Sequence, residues 1–125
     1  MLVMERIQAE VDTHAVVLFM KGTPQFPMCG FSSRAVQALM TARTGPAGAE
    51  AVQVTPAGDE PAAERIHTIN VLQEPEIRAN LPRFSNWPTF PQLFIHGELI
   101  GGCDITLELF ESGELQRIVS EALET

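Results

Sequence analysis

Chemistry in this chain starts at one sulfur atom. The stretch K-G-T-P-Q-F-P-M-C-G-F-S, Lys21 to Ser32, carries Cys29, one of only two cysteines in 125 residues. Gly22, Pro24 and Pro27 keep the preceding loop out of regular structure. From Gly30, Phe31, Ala35, Val36, Leu39 and Met40 mark one face of a helix running to about Arg43. Cys29 therefore sits at a helix start, where backbone N–H groups lack partners and the helix carries partial positive charge. Lys21, at the other edge of the loop, adds a cation. Both effects favour thiolate over thiol, the form that attacks disulfides and binds metals. The plainer reading is a small residue packed at a helix start; the flanking lysine, glycines and prolines favour reactivity.

The elements that must position this thiol follow from patterning. Met4, Ile7 and Val11 suggest a short amphipathic helix, and Val16–Met20 a buried strand. After the Cys29 helix, Thr44–Pro61 is dense in Gly, Pro and Ala and reads as a surface insertion, in which A-V-Q-V-T alternates as a strand does. Arg65–Leu72 is a better strand. Pro75 stands at a first helical turn, and that helix is expected to end before Pro82. Gln92–Ile95 and Glu98–Ile100 form a hairpin through His96-Gly97. Asp104 can cap the next helix, with Leu107 and Phe110 inward. Gly113 interrupts it, and a last helix carries Leu115, Ile118, Val119 and Ala122. The order α-β-α-β-α-β-β-α-α implies a parallel strand pair with a crossover, then an antiparallel hairpin, in one α/β domain over residues 1–125.

Composition narrows the function. A formal charge of −8 opposes nucleic acid and anionic membrane surfaces. The run Ala15–Met20 is too short to span a bilayer and no basic segment precedes it, so a cytoplasmic location is expected. Cys29 and Cys103 alone do not make a disulfide scaffold. His14, His67 and His96 share no metal-motif spacing and read as surface or strand residues.

The pattern K-G-T-P-x-x-P-x-C-G-F-S resembles the signature of monothiol glutaredoxins of the C-G-F-S class. W-P-T-F-P-Q-L-F-I-H-G-E-L-I-G-G-C-D-I, Trp87–Ile105, matches that family's second block, and L-Q-E-P-E-I-R agrees. The resemblance covers nearly the whole chain except the insertion, which has no counterpart in the family pattern. It implies a thioredoxin-like fold, a central mixed four-stranded sheet flanked by helices, with the loop after the first strand beside the Thr-x-Pro turn. It implies that Cys29 is the reactive thiolate and a ligand of a [2Fe–2S] cluster shared with a dimer partner. Lys21 and Arg78 would bind glutathione carboxylates. Thr89, Phe90 and a cis Pro91 would offer backbone to the cysteinyl part, and Cys103 and Asp104 would meet the γ-glutamyl end. Two cations and one anion complement a ligand with two carboxylates and one ammonium, and Gly101 and Gly102 would admit a peptide backbone closely. Each residue has a duller role: Asp104 as helix cap, Arg78 as solvated charge, Cys103 as packing or as a transient disulfide partner of Cys29, and Trp87 as core or groove wall.

A [2Fe–2S] centre usually takes four thiolates. One well-placed thiol per chain supplies two in a homodimer; the missing pair comes from Cys103 or from outside the protein, and a glutathione groove on each chain would complete the set with two glutathiones. Ser32 fits this, because a second thiol there would attack a mixed disulfide at Cys29 and a hydroxyl cannot. The expected function is iron–sulfur cluster assembly and transfer, with iron–sulfur donor and acceptor proteins and, by resemblance, BolA-like proteins as partners. The alternative is a glutathione-dependent thiol-disulfide oxidoreductase acting in protein deglutathionylation, with turnover expected to be weak.

Overall fold

The computed structural model describes residues 2–42 and 66–124. The insertion at 44–61, with its A-V-Q-V-T stretch, lies outside the described residues. In chain order the elements are α1 (Val3–Thr13), β1 (Val16–Met20), α2 (Gly30–Ala42), β2 (Ile66–Asn70), α3 (Pro75–Ser85), β3 (Gln92–Ile95), β4 (Glu98–Gly101), α4 (Cys103–Ser112) and α5 (Glu114–Glu124); a single 3₁₀ turn, Val71–Gln73, joins β2 to α3. The sheet order is β2-β1-β3-β4. β1 runs parallel to β2 and antiparallel to β3, and β4 closes the hairpin with β3.

β1 reads as five consecutive apolar residues because it is covered on both faces. Val16, Leu18 and Met20 pack with Val36 and Leu39 of α2 and Leu115 and Val119 of α5. Val17 and Phe19 point the other way, against Ile7 and Val11 of α1, Ile77 and Leu81 of α3, and Phe94. The period of two along the strand thus builds two cores on one central element. The antiparallel register pairs Phe19 with Gln92, which brings the chain leaving β1 beside the chain entering β3.

Three local expectations need correction. The strand drawn over Arg65–Leu72 spans Ile66–Asn70, because the Asn70 side chain accepts a hydrogen bond from Leu72 N–H and turns the chain. The helix at Pro75 does not stop before Pro82 but continues to Ser85. Pro82 cannot donate to the carbonyl four residues back, yet buried Leu81 anchors the helix in the core and Phe84 packs against it. Asn86, left-handed at φ 59°, ends it by donating its backbone N–H to Pro82 O. Asp104 does not cap α4: Gly102 is the cap position, no side chain caps it, and Asp104 lies exposed in the first turn. The hairpin turn is as expected, with His96 and Gly97 both at positive φ (50° and 81°), the pairing that matches strand twist.

Candidate functional site

The loop from Lys21 to Met28 is a folded hairpin. Met28 N–H donates to Lys21 O at 2.9 Å, and Thr23 and Phe26 exchange backbone hydrogen bonds. Gly22 makes this possible: at φ +100° its missing Cβ would lie 2.5 Å from Phe26 O and 2.6 Å from Met28 N. Asn70 Oδ1 accepts from Gly22 N–H at 2.9 Å, fastening the loop to the end of β2.

Cys29 occupies the N-cap position of α2, its carbonyl accepting the first helical bond from Ser33 N–H at 2.9 Å. Its sulfur takes the place that a serine or aspartate oxygen fills in an ordinary cap. Backbone N–H of Ser32 does most to pull the Cys29 pKa down. Burial opposes it, and Phe31 N–H, the Ser32 hydroxyl and the charge on Lys21 assist. A thiolate here would act as the helix cap. Ser32 is fully buried and its Oγ also accepts from Lys21 N–H at 3.0 Å, so one hydroxyl ties the loop, the helix and the thiolate together.

Across from Cys29 lies the segment feeding β3. The Phe90–Pro91 bond is cis. Buried Gln92 holds the segment from behind, its Nε2 donating to Trp87 O at 2.9 Å and Thr89 O at 3.1 Å. At the start of α4, a Cβ on Gly102 would come within 3.1 Å of Trp87 Nε1 and 3.2 Å of Pro91 O, so a larger residue would need these neighbours to give way slightly. Cys103 is buried. Its burial, and to a lesser degree Asp104, push its thiol pKa up, against a counter-pull from Arg34. The surroundings thus favour the thiolate at one cysteine and the thiol at the other.

These three segments, with α3, enclose a cleft of about 770 Å³. It gathers Lys21 and Cys29 from the loop and helix start, Arg78 from α3, Thr89 and Phe90 from the β3 approach, and Cys103 and Asp104 from the α4 start. Pro91 does not line it and stands behind Gly102. The cleft also takes Phe31, Pro88 and Ile105 as wall, and Trp87. Lys21 and Arg78 supply its positive charge, Asp104 its negative charge.

Comparison with known proteins shows the family and the fold. The glutaredoxin family profile matches residues 60–100. Glutaredoxin 4 of Escherichia coli K12 is 43% identical over 117 residues, covering 94% of this chain and 84% of the relative. The chain belongs to the monothiol C-G-F-S class of the glutaredoxin family. Among solved structures, reduced apo GrxS14 from poplar superposes on this glutaredoxin with a TM-score of 0.68 at 40% identity, covering 98% of this chain and 94% of that one. A buckwheat glutaredoxin solved as a glutathione complex superposes with a TM-score of 0.68 at 25% identity, covering 95% and 88%. The thioredoxin-like fold and mixed four-stranded sheet expected from the resemblance are those of this glutaredoxin.

The sequence does not disclose the second tier of the site. Asn70 and Gln92 position the loop and the cis-proline segment, but each sits in or at the end of a strand, where a polar residue looks like an ordinary outward-facing position. Ser32 reads as an absent thiol, whereas its hydroxyl is a buried structural hub. Among the described residues, no helix is long and apolar enough to cross a membrane.

Proposed function

We propose that this glutaredoxin carries a [2Fe–2S] cluster between donor and acceptor proteins in the cytoplasm, the cluster being cargo held between two copies by Cys29 of each and by two bound glutathiones. The observation that carries the reading is the contrast between the cysteines: Cys29 is partly exposed and favoured as thiolate, Cys103 buried and favoured as thiol. One chain therefore offers one ready ligand to a centre that takes four. The cleft beside it suits the tripeptide that would supply the rest. Lys21 and Arg78 would meet the two carboxylates, Asp104 the ammonium, and the Thr89–Phe90 backbone the peptide. The tripeptide's own sulfur would then lie beside Cys29. Phe26, Met28 and Phe31, all large and exposed, flank the thiol and favour the approach of a second copy, or of a BolA-like protein in its place.

The test is anaerobic reconstitution with iron, sulfide and glutathione, read by visible absorption and by mass in solution. The expected result is charge-transfer bands and a dimer in the parent, neither in Cys29→Ser, and neither in the parent without glutathione. Loading that survives Cys29→Ser overturns the proposal. The same thiolate and cleft also suit deglutathionylation, in which Cys29 attacks a protein–glutathione disulfide, takes the glutathionyl group and releases the protein thiol; free glutathione then reduces Cys29, leaving as glutathione disulfide. Fast turnover of a glutathionylated substrate by a chain that does not load a cluster would favour that chemistry.

A further inference from the structure

At the edge of the sheet that β2 forms, three side chains from two elements converge. Glu10 lies in the last turns of α1, His14 is that helix's C-cap residue, and His67 stands on β2. Helical spacing puts positions 10 and 14 on one face of α1. His67 shares a sheet face with Ile69, the face that α1 covers. The Glu10 carboxylate lies 2.9 Å from His67 Nε2 and 3.9 Å from His14 Nε2. One ligand atom from each residue lies within 4.8 Å of the others. The imidazoles stack at 3.8 Å with 13° between their planes.

We propose that Glu10, His14 and His67 form a binding site for one zinc-class divalent cation, with water in the fourth position. Two imidazoles and one carboxylate are the donor set of an open zinc site, and imidazole selects against magnesium and calcium. Metal–ligand bonds of about 2.0–2.1 Å place tetrahedral ligand atoms about 3.3–3.5 Å apart, between the two separations seen here. Binding requires the stacked rings to splay so that both nitrogens point at one ion. The three side chains are each about one-third exposed, which leaves room for that rotation and an opening for water. The His67–Glu10 hydrogen bond keeps two of the ligands together before the ion arrives. A net charge of −8 draws cations to the surface. The site is separate from the thiol cleft: His67 pairs with Val17 near the start of β1, whereas the cleft begins beyond Met20 at its far end. An ion here would clamp α1 to the edge strand.

Zinc chloride titrated into the full chain carrying Cys29→Ser, which removes the competing thiolate, tests this. Calorimetry gives the affinity, and imidazole nitrogen resonances give the ligands. The expected result is one zinc per chain, with His14 and His67 resonances moving together. His14→Gln, His67→Gln and Glu10→Gln should each weaken binding at least about tenfold, the loss that even an outer-shell change brings. Static His14 and His67 resonances at saturating zinc, or shifts confined to His96, overturn the proposal without recourse to any variant at the triad. Unchanged affinity in a well-folded Glu10→Gln or His67→Gln chain overturns it as well.

Discussion

Replacing Ser32 by alanine tests whether the residue standing in for a second thiol holds the site together. The change deletes one oxygen and leaves the backbone intact. Two losses follow. Lys21 N–H loses its acceptor at 3.0 Å, and the Cys29 sulfur loses one of its donors. Orphaning a buried donor costs about 1–3 kcal/mol. Lys21 is only partly buried, so water can replace some of that bond and the lower half of the range applies. At a cost of about 1–2 kcal/mol and a urea slope of about 1.5–2 kcal/mol per molar, the unfolding midpoint should fall by about 0.5–1.3 M. The effect on the thiol is smaller than the effect of losing the helix start. The strongest contribution to the depressed Cys29 pKa is the backbone N–H of residue 32, which alanine keeps. The pH midpoint for alkylation of Cys29 by iodoacetamide should therefore rise, yet stay below the free-thiol value of about 8.5. An unchanged urea midpoint together with an unchanged or lower alkylation midpoint would refute the assignment of Ser32 as a buried hub.

Gly102→Ala would press a methyl group toward Trp87 Nε1 and Pro91 O, at 3.1 and 3.2 Å; it should weaken glutathione binding, measured by calorimetry, while leaving the far-UV spectrum unchanged. Gly22→Ala forces a Cβ against Phe26 O and Met28 N at a φ of +100°, so the loop must shift: a stability loss of about 1–3 kcal/mol is expected from the backbone conformation alone, with slower Cys29 alkylation. The depressed Cys29 pKa also makes stability pH-dependent. The group is ionised in the folded chain before it is in the unfolded one, so its contribution is full above the free-thiol pKa of about 8.5 and disappears as pH falls through the folded value. The stability advantage of the parent over Cys29→Ser should therefore grow as pH rises, and a difference flat with pH would show that the thiolate is not a helix cap.

What could be read in the sequence was whatever local spacing encodes. β1 was legible because burial on both faces leaves no polar position to break the run, and the His96-Gly97 hairpin because its turn demands positive φ. Cys29 was legible because helix starts are marked by the residues around them. The helix through Pro82 was not. A proline weakens a helix locally, but whether the chain continues depends on tertiary burial of Leu81 and Phe84, which the segment itself does not record. The Glu10–His14–His67 cluster was hidden for a related reason. His67 stands 57 residues from Glu10, and only the parallel pairing of β1 with β2, under α1, brings it to the Glu10–His14 pair.

The site's construction bears on how a ligand enters and leaves the cleft beside a single thiol. Every group that favours the Cys29 thiolate belongs to α2 or to Lys21 in the adjoining loop. The groups facing it belong to the β3 approach and the α4 start, held by Gln92 and Gly102. The two halves face each other across the cleft and pack directly where α2 lies against α4, and β1 paired with β3 helps set the distance between them. A ligand in the cleft therefore contacts two preorganised walls without having to order either, which lowers the cost of binding. It can also leave without dismantling the fold, since none of the cleft's polar side chains — Lys21, Arg78, Thr89, Asp104 — is fully buried. A cysteine at position 32 would place a competing nucleophile in a buried seat that now holds a hydroxyl engaged on both sides. Ser32→Cys should thus lose the Lys21 bond, since sulfur is the weaker acceptor, and gain resolving chemistry at the same time. Faster release of glutathione from Cys29, accompanied by a lower urea midpoint, is the expected pair of results; faster release with full stability would mean that the hydroxyl's hydrogen bonds contribute nothing and that its chemistry alone matters.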